Sequence, residues 1–202
     1  MYGKLWPGFY FSQHSPKAGQ LVVFDDSTTY AVKYFYRRIV WSPAFFPGDQ
    51  GYLLFADDND NQPILVDKEN AIQPIDWLPK EAATDKYRRG GRGVEKGSGY
   101  QRQYPAKWQT MVPLRIRAMV LAGEHLFAAG VADIVDPDDP LAGFEDRGQA
   151  MLQVFSAADG SLVESYELAS QPAFDGLSAA GGRLYLATRD GQVICFGDGK
   201  NP

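Results

Sequence analysis

The chain has 202 residues, which is enough for one domain with a substantial core, so residues 1–202 are taken as a single domain. Its net charge of −5 disfavours nucleic acid and anionic membranes as general partners. The one cysteine excludes an internal disulfide, and no apolar run is long enough for a membrane span. The 21 glycines, 13 prolines and 13% aromatic residues are typical of short strands joined by turns, and they favour an all-β class.

Two hairpins are predicted in the amino-terminal third of the chain. In residues 19–35, two apolar segments flank a turn that contains Asp25. Residues 51–56 and 64–66 form a similar pair of segments, with a polar stretch between them. Both patterns predict antiparallel strands connected by polar turns.

The carboxy-terminal half repeats this pattern more clearly. Residues 115–121 and 125–129 flank a turn at Gly123. Residues 151–196 then read as five short strands in meander order, separated by turns at Asp159-Gly160, Gly181-Gly182 and Asp190-Gly191. Repetition at about 40 residues is typical of propeller blades, which must stack on neighbours to bury their faces.

About a dozen strands are predicted in all, enough for a partial β-propeller of about three to four four-stranded antiparallel blades, since closed propellers typically have 4 to 8 blades. Two long loop insertions interrupt the pattern. Residues 79–108 are rich in glycine and arginine, and residues 132–149 are acidic and broken by proline. Cys195 is expected to be a small apolar residue on a buried strand.

Two segments carry a family resemblance. Val154-Phe-Ser-Ala-Ala-Asp-Gly-Ser-Leu-Val163 resembles the "A-x-D-x-x-T/S-G-x-x-x-W" repeat of pyrroloquinoline-quinone-like β-propellers, and residues 183–196 resemble its partner phrase. The wider arrangement is similar to the carboxy-terminal part of uncharacterised exported bacterial propeller proteins. This resemblance implies a WD40/YVTN-like propeller and a periplasmic or cell-surface parent protein, although no signal-peptide pattern is visible. It implies no activity.

The resemblance does not extend to the quinone cofactor. Quinoprotein dehydrogenases carry a vicinal cysteine pair over the cofactor, together with a tryptophan floor and an acidic calcium site. A chain with one cysteine cannot form the vicinal pair, so we expect no bound quinone. Calcium remains the one cofactor to consider.

Two acidic segments are candidate calcium sites, because calcium takes 6 to 8 oxygen ligands. Asp57, Asn59 and Asn61 place oxygen-bearing side chains at alternate positions, but the glycine and glutamate of a regular calcium loop do not follow. The other set, in the acidic insertion, is Asp133, Asp136 and Asp138. A polar hairpin tip and a solvated acidic loop are the simpler interpretations.

Arg88, Arg89, Arg92 and Trp108 form a candidate partner-binding surface, since cations interleaved with aromatic rings can contact a polyanion or a polysaccharide. A surface insertion without a ligand, and a tryptophan packed between sheets, are the alternatives. No catalytic residue is predicted, because neither His14 nor His125 has the sequence context of a nucleophile and its base.

The sequence therefore predicts a non-catalytic propeller segment that binds a protein or carbohydrate partner. We expect the remainder of a propeller, or another subunit, to complete it, because unpaired strand edges promote association. The alternative is a polysaccharide hydrolase or lyase with carboxylates from the loops at 57–61 and 133–146. Two carboxylates facing each other at about 5 Å, or at about 6.5 to 9.5 Å, would favour that enzyme.

Overall fold

The computed structural model describes residues 21–33, 51–61, 63–66, 72–74, 99–102, 104–134, 136–142, 145 and 147–197. These residues are all-β, and none of them belongs to a helix long and apolar enough to cross a membrane. The strands are β1 (Leu21–Phe24), β2 (Thr28–Lys33), β3 (Tyr52–Asp58), β4 (Pro63–Val66), β5 (Ile72–Pro74), β6 (Gly99–Arg102), β7 (Trp108–Val112), β8 (Leu114–Ala122), β9 (His125–Ala132), β10 (Ala150–Ser156), β11 (Leu162–Glu167), β12 (Pro172–Ala180), β13 (Arg183–Thr188) and β14 (Val193–Phe196).

The strands form four antiparallel sheets. The first sheet has the order β1-β2-β3-β7, the second β8-β9-β10-β11 and the third β12-β13-β14, while β5-β4-β6 form a separate small sheet. In the second and third sheets each strand pairs with its neighbours in the chain, whereas the first sheet ends with β7, which follows β4 to β6 in the chain. The predicted all-β class is thus confirmed for the described residues.

The second sheet lies between the first and the third. Its first strand, β8, packs beside both β1 and β12. On one face, Ile116, Leu126 and Phe155 join a core cluster with residues of the first sheet. On the other face, Ala129 and Leu152 join a cluster with residues of the third sheet. The period of two along each strand sends alternate side chains to the two interfaces.

The predicted hairpin of residues 51–56 and 64–66 is wrong. β3 pairs with β2 and β7, and β4 pairs with β5 and β6. The neighbour of β3 is therefore a strand about fifty residues further along the chain. β7 takes that edge because Trp108 and Val112 are buried against the core. A local turn signal cannot reveal a partner at that distance.

The predicted insertion at 79–108 differs from the structure at its carboxyl end. β6 begins at Gly99 and β7 begins at Trp108, whereas residues 79–98 lie outside the described residues. The five strands predicted in residues 151–196 are all present as β10 to β14. They are divided between two sheets, because β11 ends the second and β12 begins the third.

The expectation that Cys195 is buried is wrong. Cys195 lies on β14 but is exposed, as is Val193 on the same face of the strand. β14 is the last strand of the third sheet, and none of the described elements covers this face. An apolar run therefore marked a strand correctly but did not reveal whether both of its faces are covered.

Candidate functional site

A buried polar cluster joins the first and second sheets. Arg115, on β8, donates from Nε to Asp133 Oδ2 at 2.8 Å, and its Nη2 lies 2.8 Å from the same oxygen. Tyr52, at the start of β3, donates its hydroxyl proton to Asp133 as well. Burial, followed by the hydrogen bond to Asp133, raises the pKa of Tyr52 well above its ordinary value, so the phenol stays protonated.

This cluster contains Asp133, the first residue of one candidate calcium set. Only 5% of the Asp133 surface is exposed, and its carboxylate accepts hydrogen bonds from both Tyr52 and Arg115. Asp136 and Asp138 are exposed beyond it, where the Asp138 amide donates to Asp136 Oδ1 at 2.9 Å. Within the described part of the chain, no three acidic, histidine or cysteine side chains are grouped as metal ligands.

The residues of the other candidate calcium set, Asp57, Asn59 and Asn61, make two separate groups of hydrogen bonds. Asn61 Nδ2 donates to Asp57 Oδ1 at 2.6 Å, and Asn61 also exchanges hydrogen bonds with the backbone of Tyr104. Asn59 Oδ1 instead accepts from the Thr29 hydroxyl at 2.7 Å. These contacts fix the turn after β3, and Asp57 is fully buried there.

The two acidic segments lie at opposite ends of β3. Asp133 bonds to Tyr52 at the first residue of the strand, whereas Asp57 is five residues further on. At about 3.4 Å per residue, Tyr52 and Asp57 are about 17 Å apart, and their side chains point to opposite faces of the sheet. Asp57 and Asp133 are thus much further apart than the carboxylate pair of a glycosidase.

Trp108 lies between sheets. It is 8% exposed, and its indole nitrogen donates to the carbonyl of Ala157 at 2.9 Å. Its ring also lies 6.0 Å from the ring of Tyr30 and covers Gly160. Trp108 therefore packs between the first and second sheets. The other members of the predicted partner-binding surface, Arg88, Arg89 and Arg92, lie outside the described residues.

An open groove of about 1060 Å³ lies between the second and third sheets, beside their β8–β9 and β12–β13 turns. We call it the intersheet groove. Its lining combines apolar and aromatic side chains from both sheets with a few polar ones, which is the usual composition of a ligand site. The side chains that matter below are His125, Phe127, Glu164, Tyr166, Arg183 and Phe196.

The groove carries polar groups that the protein leaves available. Tyr166 donates its hydroxyl proton to Glu164, which fixes that pair on β11. The ring of His125 contacts the ring of Phe127 at 6.2 Å. Among the described residues, no hydrogen bond or ion pair involves the side chain of His125 or Arg183. One guanidinium and one imidazole are therefore open to a ligand.

Sequence reasoning missed this groove. In the sequence, His125 stands out only as one of two histidines without a catalytic context, and nothing marks Arg183, Tyr166 or Phe196 as site residues. The alternation of β11 and β14 shows that Tyr166 and Phe196 each share a face with their neighbours two residues away. Nothing local shows that the two faces meet across a groove, because that depends on how the sheets stack.

The comparisons with known proteins do not assign a family. No family model matches the chain, and no curated protein matches it. Among solved structures, the chain is similar to the "computationally designed Ika4 protein", with 9% sequence identity and a TM-score of 0.33. That match covers 92% of this chain and 96% of the other.

Proposed function

We propose that this chain is a non-catalytic binding or scaffold module made of propeller-type blades, and that its partner is a protein or a carbohydrate. Three antiparallel sheets whose faces stack on one another support the blade assignment. The first strands of neighbouring sheets lie side by side, with β8 between β1 and β12, as the inner strands of adjacent blades do.

The intersheet groove is the observation that supports binding. Its aromatic side chains offer flat apolar surfaces, on which a sugar ring or an apolar side chain can pack. Arg183 and His125 supply donors that no described residue engages. Arg115 differs from Arg183 in this respect, because it forms an ion pair with Asp133 in the buried cluster.

The geometry of the acidic loops weighs against the hydrolase or lyase. A carboxylate pair for glycoside hydrolysis must be within about 10 Å. Asp57 and Asp133 lie near opposite ends of β3, and both already accept hydrogen bonds from protein side chains. We therefore propose no reaction for this chain, and the quinone cofactor has no part in the proposal.

An array of neutral and uronic oligosaccharides tests the proposal, with Tyr166→Ala as the groove variant. Tyr166 is 45% exposed, so its removal opens the groove at little cost to the core. If a carbohydrate binds in the groove, we expect Tyr166→Ala to weaken binding about fivefold or more, because aromatic anchors dominate such contacts.

Phe174→Ala is the matched control, because Phe174 is a 73% exposed aromatic residue that does not line the groove. Equal losses in both variants would contradict the groove as the site. If no oligosaccharide binds, a protein partner is tested next, with the peptide and the variants described below. Failure of both classes of ligand would refute the binding-module proposal.

A further inference from the structure

The outer edge of β14 differs from the outer edge of the second sheet. The second sheet ends with β11, a fourth strand that carries Glu164 and Glu167. Among the residues that the structure describes, the third sheet ends with its third strand, β14, whose sequence is Val-Ile-Cys-Phe. Charged residues normally protect an edge strand from pairing with other chains, and β14 has none.

The side chains on both faces of β14 are at least partly accessible beside its outer edge. Val193 is 70% exposed and Cys195 is also exposed, on the face of the strand opposite to Ile194 and Phe196. On the opposite face, Ile194 and Phe196 are only partly buried. A strand added beside β14 would therefore gain backbone hydrogen bonds and also apolar contacts on alternate side chains.

Arg183 places a positive charge beside this edge. A Cβ built on Gly197 would lie 3.2 Å from Arg183 Cγ and 3.7 Å from its Nε, so the arginine side chain crosses the backbone directly after β14. No described residue pairs with its guanidinium. A carboxylate on the incoming strand could accept both of its parallel N–H donors.

We propose that the β14 edge binds an extended peptide segment of a partner protein, which adds a fourth strand to the third sheet and places an acidic side chain on Arg183. This inference rests on the proposed binding function and names the partner class. The net charge of −5 repels strongly acidic chains, so we expect one or two acidic residues among apolar ones rather than an acidic run.

The test uses a peptide with the sequence of residues 161–168, Ser-Leu-Val-Glu-Ser-Tyr-Glu-Leu, because β11 is the fourth strand of the neighbouring sheet. With a fluorescein label, we expect a saturable rise in anisotropy when the full chain is added. We also expect the bound peptide to slow alkylation of Cys195 by iodoacetamide, because the added strand covers β14.

Three controls separate strand addition from other binding. A peptide with Ser165→Pro and Tyr166→Pro keeps both glutamates, but it lacks a backbone donor in either register, so it should not bind. Arg183→Gln should weaken binding about two- to fivefold, the size of an exposed ion pair. Arg189→Gln, which removes an exposed cation at the opposite end of the hairpin, should leave binding unchanged.

A peptide with both glutamates replaced by glutamine completes a double-mutant cycle. It should bind the wild-type chain about as weakly as the original peptide binds Arg183→Gln, with little further loss when both changes are combined. If the two changes together weaken binding by the sum of their separate free-energy losses, Arg183 does not pair with a peptide carboxylate.

Two results would overturn the proposal. One is the absence of peptide binding at about 1 mM, or equal binding of the proline peptide. The other is concentration-dependent dimerisation with Cys195 protected in the absence of peptide, since the occupant would then be a second copy. Oligosaccharide binding that is sensitive to Tyr166→Ala would persist in either case if only this inference is wrong.

Discussion

The second and third sheets are built from similar meanders but lie in different environments. The central strands of the second sheet are buried on both faces, with Leu126 and Leu152 fully or almost fully inaccessible on opposite sides. The third sheet buries Leu186 against the second sheet, but it exposes 70% of Val193 on its other face. Position in the stack, rather than the strand pattern itself, therefore determines which apolar residues form the core and which remain available for binding.

The largest expected effect comes from breaking the polar cluster that fixes the second sheet to the first. Asp133→Asn removes the charge that compensates Arg115 in a site where their side chains are only 7% and 14% exposed. Loss of one partner from a buried ion pair costs about 3 to 5 kcal/mol. Urea unfolding should therefore show this decrease in the free energy of unfolding.

Asp139→Asn is the control for this variant. Asp139 pairs with Arg147, but both side chains are 40% or more exposed. Solvent screens such pairs, so we expect little change in stability. Similar losses in the two variants would show that the buried cluster does not hold the sheets together.

The next largest effect is expected within the β13–β14 hairpin, where one variant changes a buried side chain and the other an exposed one. Leu186→Ala removes a fully buried side chain between the third and second sheets, and it should cost about 2 to 5 kcal/mol. Val193→Ala, on the exposed face of the paired strand, should change the free energy of unfolding by less than about 0.5 kcal/mol. A large loss with Val193→Ala in dilute solution would mean that this face is covered.

The sequence was sufficient to predict the strands with local turns. Asp159-Gly160, Gly181-Gly182 and Asp190-Gly191 each follow one strand and precede the next, so the turn and its two strands are neighbours in the chain. Predictions failed where the partner is distant. The pairing of β3 with β7 and the exposure of Cys195 both depend on which element occupies an edge or a face.

The candidate site was harder to predict than the fold, for the same reason. Asp133 has the residue type of a metal ligand, and its actual partner, Arg115, lies 18 positions earlier. Arg183 begins a repeat-like phrase, and that phrase does not mark it as a binding residue. Its interest comes from its position over Gly197, beside a strand that has no second neighbour among the described strands, and neither feature is visible in a list of residues.

The smallest expected effect is the difference between alanine substitutions in two turns, at Gly160 and at Gly182, which have different surroundings. Gly160 and Gly182 have almost the same positive φ, 73° and 72°. A Cβ on Gly160 would clash with Cε3 of Trp108, whereas a Cβ on Gly182 meets nothing within 4 Å. Replacement by alanine costs backbone strain of about 1 to 2 kcal/mol at both positions, because each is left-handed.

The difference between Gly160→Ala and Gly182→Ala therefore isolates the contact with Trp108. Overpacking against a rigid ring adds about 1 to 3 kcal/mol, so Gly160→Ala should be the less stable variant by that amount in urea unfolding. The indole emission of Trp108 should change only in Gly160→Ala, where the ring must move away from its hydrogen bond to Ala157. Equal stabilities of the two variants would mean that the turn at Gly160 is as open as the turn at Gly182. The second and third sheets would then not differ in their hairpin turns.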